Sequence, residues 1–257
     1  MLGAADHTQY DLRFRLLDIP VRVNPWFWLV MLMISGESRS LMGAVVFVLC
    51  AFVSILAHEY GHGLSARAFN IEPSEIVLYG MGGYCAYPSW PRETWQRVLT
   101  IFCGPLANFV VLSLALAGAS LTYHCSPLDL MPLLEVGPVT EKTVDVYRQM
   151  LASGAGGRAI FDLIKINFLW GLLNLMPIWP LDGGRIAELG FGKINPREST
   201  RWAHSLSLVA AGGIALWYAS KSDWWMAVWF GYFGYVNYEI LQGMHRSSRF
   251  GGGRWEY

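Results

Sequence analysis

His58, Glu59 and His62 stand in the run His-Glu-Tyr-Gly-His. In a helix, residues four apart share a face, so the two imidazoles point the same way. Two imidazoles so placed can bind a zinc ion, and a carboxylate beside the first can serve as general base. The run lies inside a long apolar segment, Leu41 to Phe69. Ionisable side chains are costly there and are usually functional. The plainer alternative is a histidine pair satisfied by neighbouring helices, which leaves that apolar setting unexplained.

A catalytic zinc with two histidine ligands needs a third ligand and an open position for water. Acidic candidates are few. Glu72, Glu75 and Glu93 lie in the connection after the histidines, and Asp182 follows a later apolar segment. Pro177 and Pro180 break that later helix and free Asp182 to turn inward. Asp182-Gly183 alone is also an ordinary turn signal. On residue chemistry the choice stays open.

The elements that must position these groups are apolar. Of 257 residues, 54% are hydrophobic and 15% charged, against about a quarter charged in a soluble domain. This composition predicts a polytopic membrane protein. The zero net charge gives no reason to expect nucleic acid. Four separated cysteines form no disulfide framework. The segment from Asn24 to Ser35 is short for a span and is expected to tilt, extend or enter partway. Further spans are expected at Leu41 to Phe69, Val98 to Tyr123, Ala159 to Pro177, His204 to Ser220 and Trp224 to Met244. Asn70 to Arg97 reads as a short strand or hairpin, or as an irregular loop, and carries Gly82 and Gly83. Pro105 is expected to bend the third span. The connection before the fourth span is short for an accessory domain. With six spans, Lys and Arg gather on the side that carries both termini, which predicts a cytoplasmic N- and C-terminus. The histidines then lie nearer that face, and Asp182 reaches their depth.

Three motifs together resemble the site-2 protease family of intramembrane zinc metalloproteases. They are His58-Glu59-Tyr60-Gly61-His62, Gly104-Pro105-Leu106-Ala107-Asn108, and Asn174-x-x-Pro177-x-x-x-Leu181-Asp182-Gly183, in that order on successive apolar segments. The resemblance implies that Asp182 is the third ligand to one zinc ion per chain. It implies that Asn108 and Asn174 lie near the metal, supporting substrate or transition state, or that they bond helix to helix. Gly82 and Gly83 resemble the family's glycine-containing β segment, which holds substrate extended. There is no room here for the gating or nucleotide-sensing domains of some members, so a bare catalytic core is expected.

The expected fold is therefore an all-α polytopic integral membrane protein with about six transmembrane helices. A short β hairpin or re-entrant segment lies between the second and third helices. Residues 1–25 form a cytoplasmic N-terminal segment, 26–184 the catalytic core, 185–245 two C-terminal helices and 246–257 a flexible cytoplasmic tail. The expected reaction is hydrolysis of a peptide bond within or near the transmembrane segment of a single-span substrate, in a cell membrane. Glu59 is the base. A membrane helix has no open peptide to attack, so the substrate must unwind and lie extended along residues 76–84. The rivals are a zinc protease of another lineage using Glu75 or Glu93, a membrane metal transporter, and a non-catalytic scaffold.

Overall fold

The structure, a computed structural model, describes residues 7–37 and 40–249, with side chains at 7–36 and 40–244. The chain divides into two compact units, Met1–Leu172 and Leu173–Tyr257.

The first unit opens with β1 (Leu12–Leu16) and β2 (Ile19–Val23), an antiparallel pair. Their turn places Leu17 and Asp18 at φ 49° and 63°. β2 pairs in parallel with β3 (Glu75–Tyr79), Val21 opposite Ile76 and Val23 opposite Leu78. β3 turns back antiparallel into β4 (Gly82–Ala86), completing a sheet of order β1-β2-β3-β4.

Between β2 and β3 run two helices. α1 (Pro25–Ile34) is capped by the Asn24 side chain and starts on a proline, whose missing N–H costs nothing there. α2 (Leu41–Ala68) is capped by Ser40. α3 (Thr94–Tyr123) follows β4 and runs unbroken through Pro105. Ile19, Val21, Val23, Ile76 and Leu78 project from β2 and β3 into one core with Phe27 of α1 and Ile55 and Tyr60 of α2. Each such buried side chain contributes about 1.5–3 kcal/mol. The buried Arg22 of β2 reaches Asp11 at 3.2 Å and Glu75 at 3.3 Å, tying the sheet's parallel step.

The connection after α3 folds into α4 (Pro127–Leu130) and α5 (Glu141–Ala152), then α6 (Gly154–Asn174). Leu130, Val146, Met150 and Ile164 bury against Leu112, Ala119 and Tyr123 of α3. The short connection is thus two small helices laid on α3.

The second unit holds α7 (Asp182–Ile194), α8 (Ser199–Ser220) and α9 (Trp224–Arg249). Its core is Ile178, Ala211, Phe230 and Phe233. The tail beyond residue 249 lies outside the described residues, while residues 246–249 continue α9.

The protein is mostly helical, but it is not all-α. The hairpin between α2 and α3 is two strands of a four-stranded sheet. The other two come from residues 1–25, the N-terminal segment to which the sequence reading assigns no strand. β1 carries a period-two signal, Leu12-Arg13-Phe14-Arg15-Leu16, that a strand displays on alternate faces. α2 and α3 are the helices long and apolar enough to cross a membrane among the described residues. α1 has 10 residues, about 15 Å of helix, half the thickness of a bilayer's hydrocarbon.

Candidate active site

The helix α2 puts His58 and His62 on one face, both buried, with Nε2 atoms 3.1 Å apart. Each ring is held from behind. His58 Nδ1 lies 2.7 Å from Asn108 Oδ1, and His62 Nδ1 lies 2.9 Å from the Thr100 carbonyl. Both partners sit on α3. The Asn108 amide nitrogen donates to the Ser54 carbonyl and to Asn167 Oδ1, so its oxygen must face His58. A carbonyl can only accept. Both imidazoles therefore carry their proton on Nδ1 and present lone pairs at Nε2. Two such acceptors at this distance repel unless something electropositive is shared between them.

That arrangement fits a metal. Two zinc–nitrogen bonds of ~2.0–2.1 Å at a tetrahedral angle subtend about 3.3 Å, close to the observed 3.1 Å. A histidine ligand usually donates its other ring N–H to an oxygen, which fixes tautomer and orientation.

Small residues let the helices meet here. A Cβ on Gly104 would strike the His62 ring and come within 2.9 Å of His58 Nε2. A Cβ on Gly61 would run into the Cys103 carbonyl. The glycine of the second motif is thus space for imidazoles. The asparagine four residues later on the same face is the hydrogen-bond partner of His58.

Glu59 is buried beside the first histidine. β4 runs against it, and a Cβ on Gly83 would come within 2.8 Å of both Glu59 Cγ and Oε1. Gly82 has φ 128°, open to glycine, and a Cβ there would meet the Trp170 ring at 3.0 Å. The glycine pair of β4 therefore makes room for the glutamate and for Trp170 of α6.

In the second unit, Asp182 is buried and is the first residue of α7, with Leu181 as N-cap. Asn174, the last residue of α6, is also buried. The rival acids have other employment. Glu72 pairs with Arg67 at 2.9 Å, and Glu75 pairs with Arg22. Glu93 is the N-cap of α3, where its side chain forms a capping box with Gln96.

Sequence reading missed Ser54, Thr100 and the helix α7. Ser54 was findable, since it lies four residues before His58 on the same face. Asn167 of α6 donates to Ser54 Oγ at 2.8 Å and to the Leu163 carbonyl. Thr100 acts through its backbone, so its residue type carries no signal.

The site is thus a buried, back-bonded histidine pair with an adjoining glutamate on apolar helices, a donor set suited to a metal. The family comparison agrees. Residues 46–216 match Peptidase family M50, and the chain belongs to that family. A zinc metalloprotease of Methanocaldococcus jannaschii is 28% identical over 69% of this chain and 44% of its own length. The stage IV sporulation protein FB of Bacillus subtilis is 25% identical over 75% of this chain and 54% of its own. The chain thus spans about half the length of these relatives. A site-2 protease structure from Methanocaldococcus jannaschii superposes with TM-score 0.59 at 21% identity, covering 90% of this chain and 95% of that one. It shares the fold.

Proposed function

We propose that this protein is an intramembrane zinc metallopeptidase, hydrolysing a peptide bond within or near a membrane span of a protein substrate. The observation that carries the reading is the histidine pair, oriented by Asn108 and Thr100 so that both Nε2 lone pairs converge. The relative from Methanocaldococcus jannaschii is itself a zinc metalloprotease.

His58, His62 and Asp182 would hold the zinc. All three side chains are buried. Occupation of Glu72, Glu75 and Glu93 elsewhere in the first unit supports Asp182 over them. Bound zinc supplies Lewis acidity, which makes water a nucleophile near neutral pH and polarises a carbonyl.

Glu59 takes the proton of the attacking water and returns it to the leaving amine. Gly83 keeps its carboxylate from being pushed aside. Asn108 is a positioning residue, since both of its polar ends are committed to holding His58. An extended substrate lies along β4, whose outer edge has no strand beside it among the described residues. The six-span topology, the cytoplasmic termini and the placement in a cell membrane belong to the same proposal.

The test is cleavage of a single-span reporter by the purified chain in lipid. Glu59→Gln should keep zinc and lose about 10²–10⁴-fold in rate, the range for a general base. Undiminished cleavage by that variant would sink the mechanism.

A further inference from the structure

The segment joining α6 to α7, residues 175–181, is irregular backbone between two helices. In an apolar setting every N–H and C=O of such a segment must find a partner within the protein. Trp179 finds both of its partners on side chains of the last two helices. Its N–H donates to Ser207 Oγ of α8 at 2.8 Å, and its carbonyl accepts from Asn237 Nδ2 of α9 at 2.8 Å.

Those two side chains are themselves locked. The Ser207 hydroxyl donates to the Ala203 carbonyl, which leaves its oxygen as acceptor for Trp179. The second proton of Asn237 Nδ2 goes to the Phe233 carbonyl. Its Oδ1 lies 2.7 Å from His204 Nδ1. The His204 ring lies against the Trp179 indole, with centroids 5.2 Å apart. His204 is 3% exposed, and Ser207 and Asn237 are 0%. Burying three polar side chains is costly unless each is satisfied: Ser207 and Asn237 are satisfied in part by Trp179 itself, and His204 by the Asn237 amide that holds it.

The grip passes to Asp182 without slack. A Cβ on Gly184 would collide with the Trp179 nitrogen and the Ile178 carbonyl carbon. A Cβ on Gly183 would collide with the carbonyl oxygens of Leu175 and Met176. The first turn of α7 therefore rests directly on the clamped backbone, glycine against peptide.

We infer that Ser207, Asn237 and His204 are positioning residues for Asp182: α8 and α9 are a polar clamp that fixes where that carboxylate stands. This rests on the reading of Asp182 as a zinc ligand.

The experiment measures zinc affinity by chelator competition on the full chain in lipid, with melting temperature recorded alongside. Four variants are compared with the parent: Asp182→Ala, Asn237→Ala, Ser207→Ala and Tyr218→Ala. Tyr218 packs in the same unit, stacked on Phe230 against the apolar core, and among the described residues its side chain makes no hydrogen bond to residues 175–181. Asn237→Ala and Ser207→Ala are expected to weaken zinc binding about 10–100-fold, the range for residues that orient a ligand. Tyr218→Ala is expected to lower the melting temperature and leave zinc affinity at the parental value. If Asp182→Ala binds zinc as the parent does, the ligand reading itself fails. If Asp182→Ala loses zinc while both clamp variants keep parental affinity, the clamp alone is overturned. Equal zinc loss in Tyr218→Ala also overturns it, because general loosening would then explain the effect.

Discussion

Gly83 and Glu59 show how a residue without a side chain can control one with a charge. The strand and the carboxylate are in contact, with no room for a methyl group between them. Gly83→Ala must therefore push Glu59 from its place or bend β4. The expected result is a fall in kcat of at least tenfold with zinc content unchanged. Kinetics and metal analysis on one preparation check it. Loss of zinc would instead mean that the histidine face was disturbed. The sequence already marked this glycine pair, but for contact with substrate. What it could not show is that a glutamate some two dozen residues earlier fills the space, because close approach of distant segments leaves no local pattern.

At the scale of elements, the histidine-bearing helix and its neighbour were legible, because long apolar runs bounded by polar residues are the strongest pattern a chain offers. The hairpin 75–86 was legible as one of two readings. The parallel step from β2 to β3 was not, since it joins residues some fifty positions apart. Arg22 holds that step, and its partner Asp11 offers a handle on it. Burial pushes the Asp11 carboxyl up, but hydrogen bonds from Thr8 and the Arg22 guanidinium outweigh it, and the net shift is downward. A carboxylate whose folded value lies below its ordinary value of 3.8 stabilises the fold above that value. The stabilisation disappears as pH falls through the folded value. Melting curves of parent and Asp11→Asn should thus differ at neutral pH and converge below about pH 4. A gap that persists at low pH would show that Asp11 acts through packing. The helix α7 was illegible for a different reason: Pro177 and Pro180 end one helix so firmly that the next start, on Asp182-Gly183-Gly184, reads as a turn.

Across the whole molecule, metal and stability should be linked. An ion that binds the folded chain alone stabilises it by about 2.7 kcal/mol at a hundred times its Kd. Zinc added to metal-stripped protein in lipid should raise the melting temperature, and Asp182→Ala should abolish most of the rise. A full rise in that variant would remove Asp182 from the ligand set.

The sheet's parallel step has a geometric consequence. Strands that run side by side in one direction oblige the chain between them to go out and come home to the sheet. Here the outward leg is α1, about 15 Å, and the homeward leg is α2, about 42 Å at 1.5 Å per residue. Legs so unequal can close the circuit only if the longer one overshoots the shorter and passes alongside the strands. The sheet is therefore moored partway along α2, level with its histidine-bearing half, where Gly63 faces Ile19 and Cys85 and Glu59 faces Gly83.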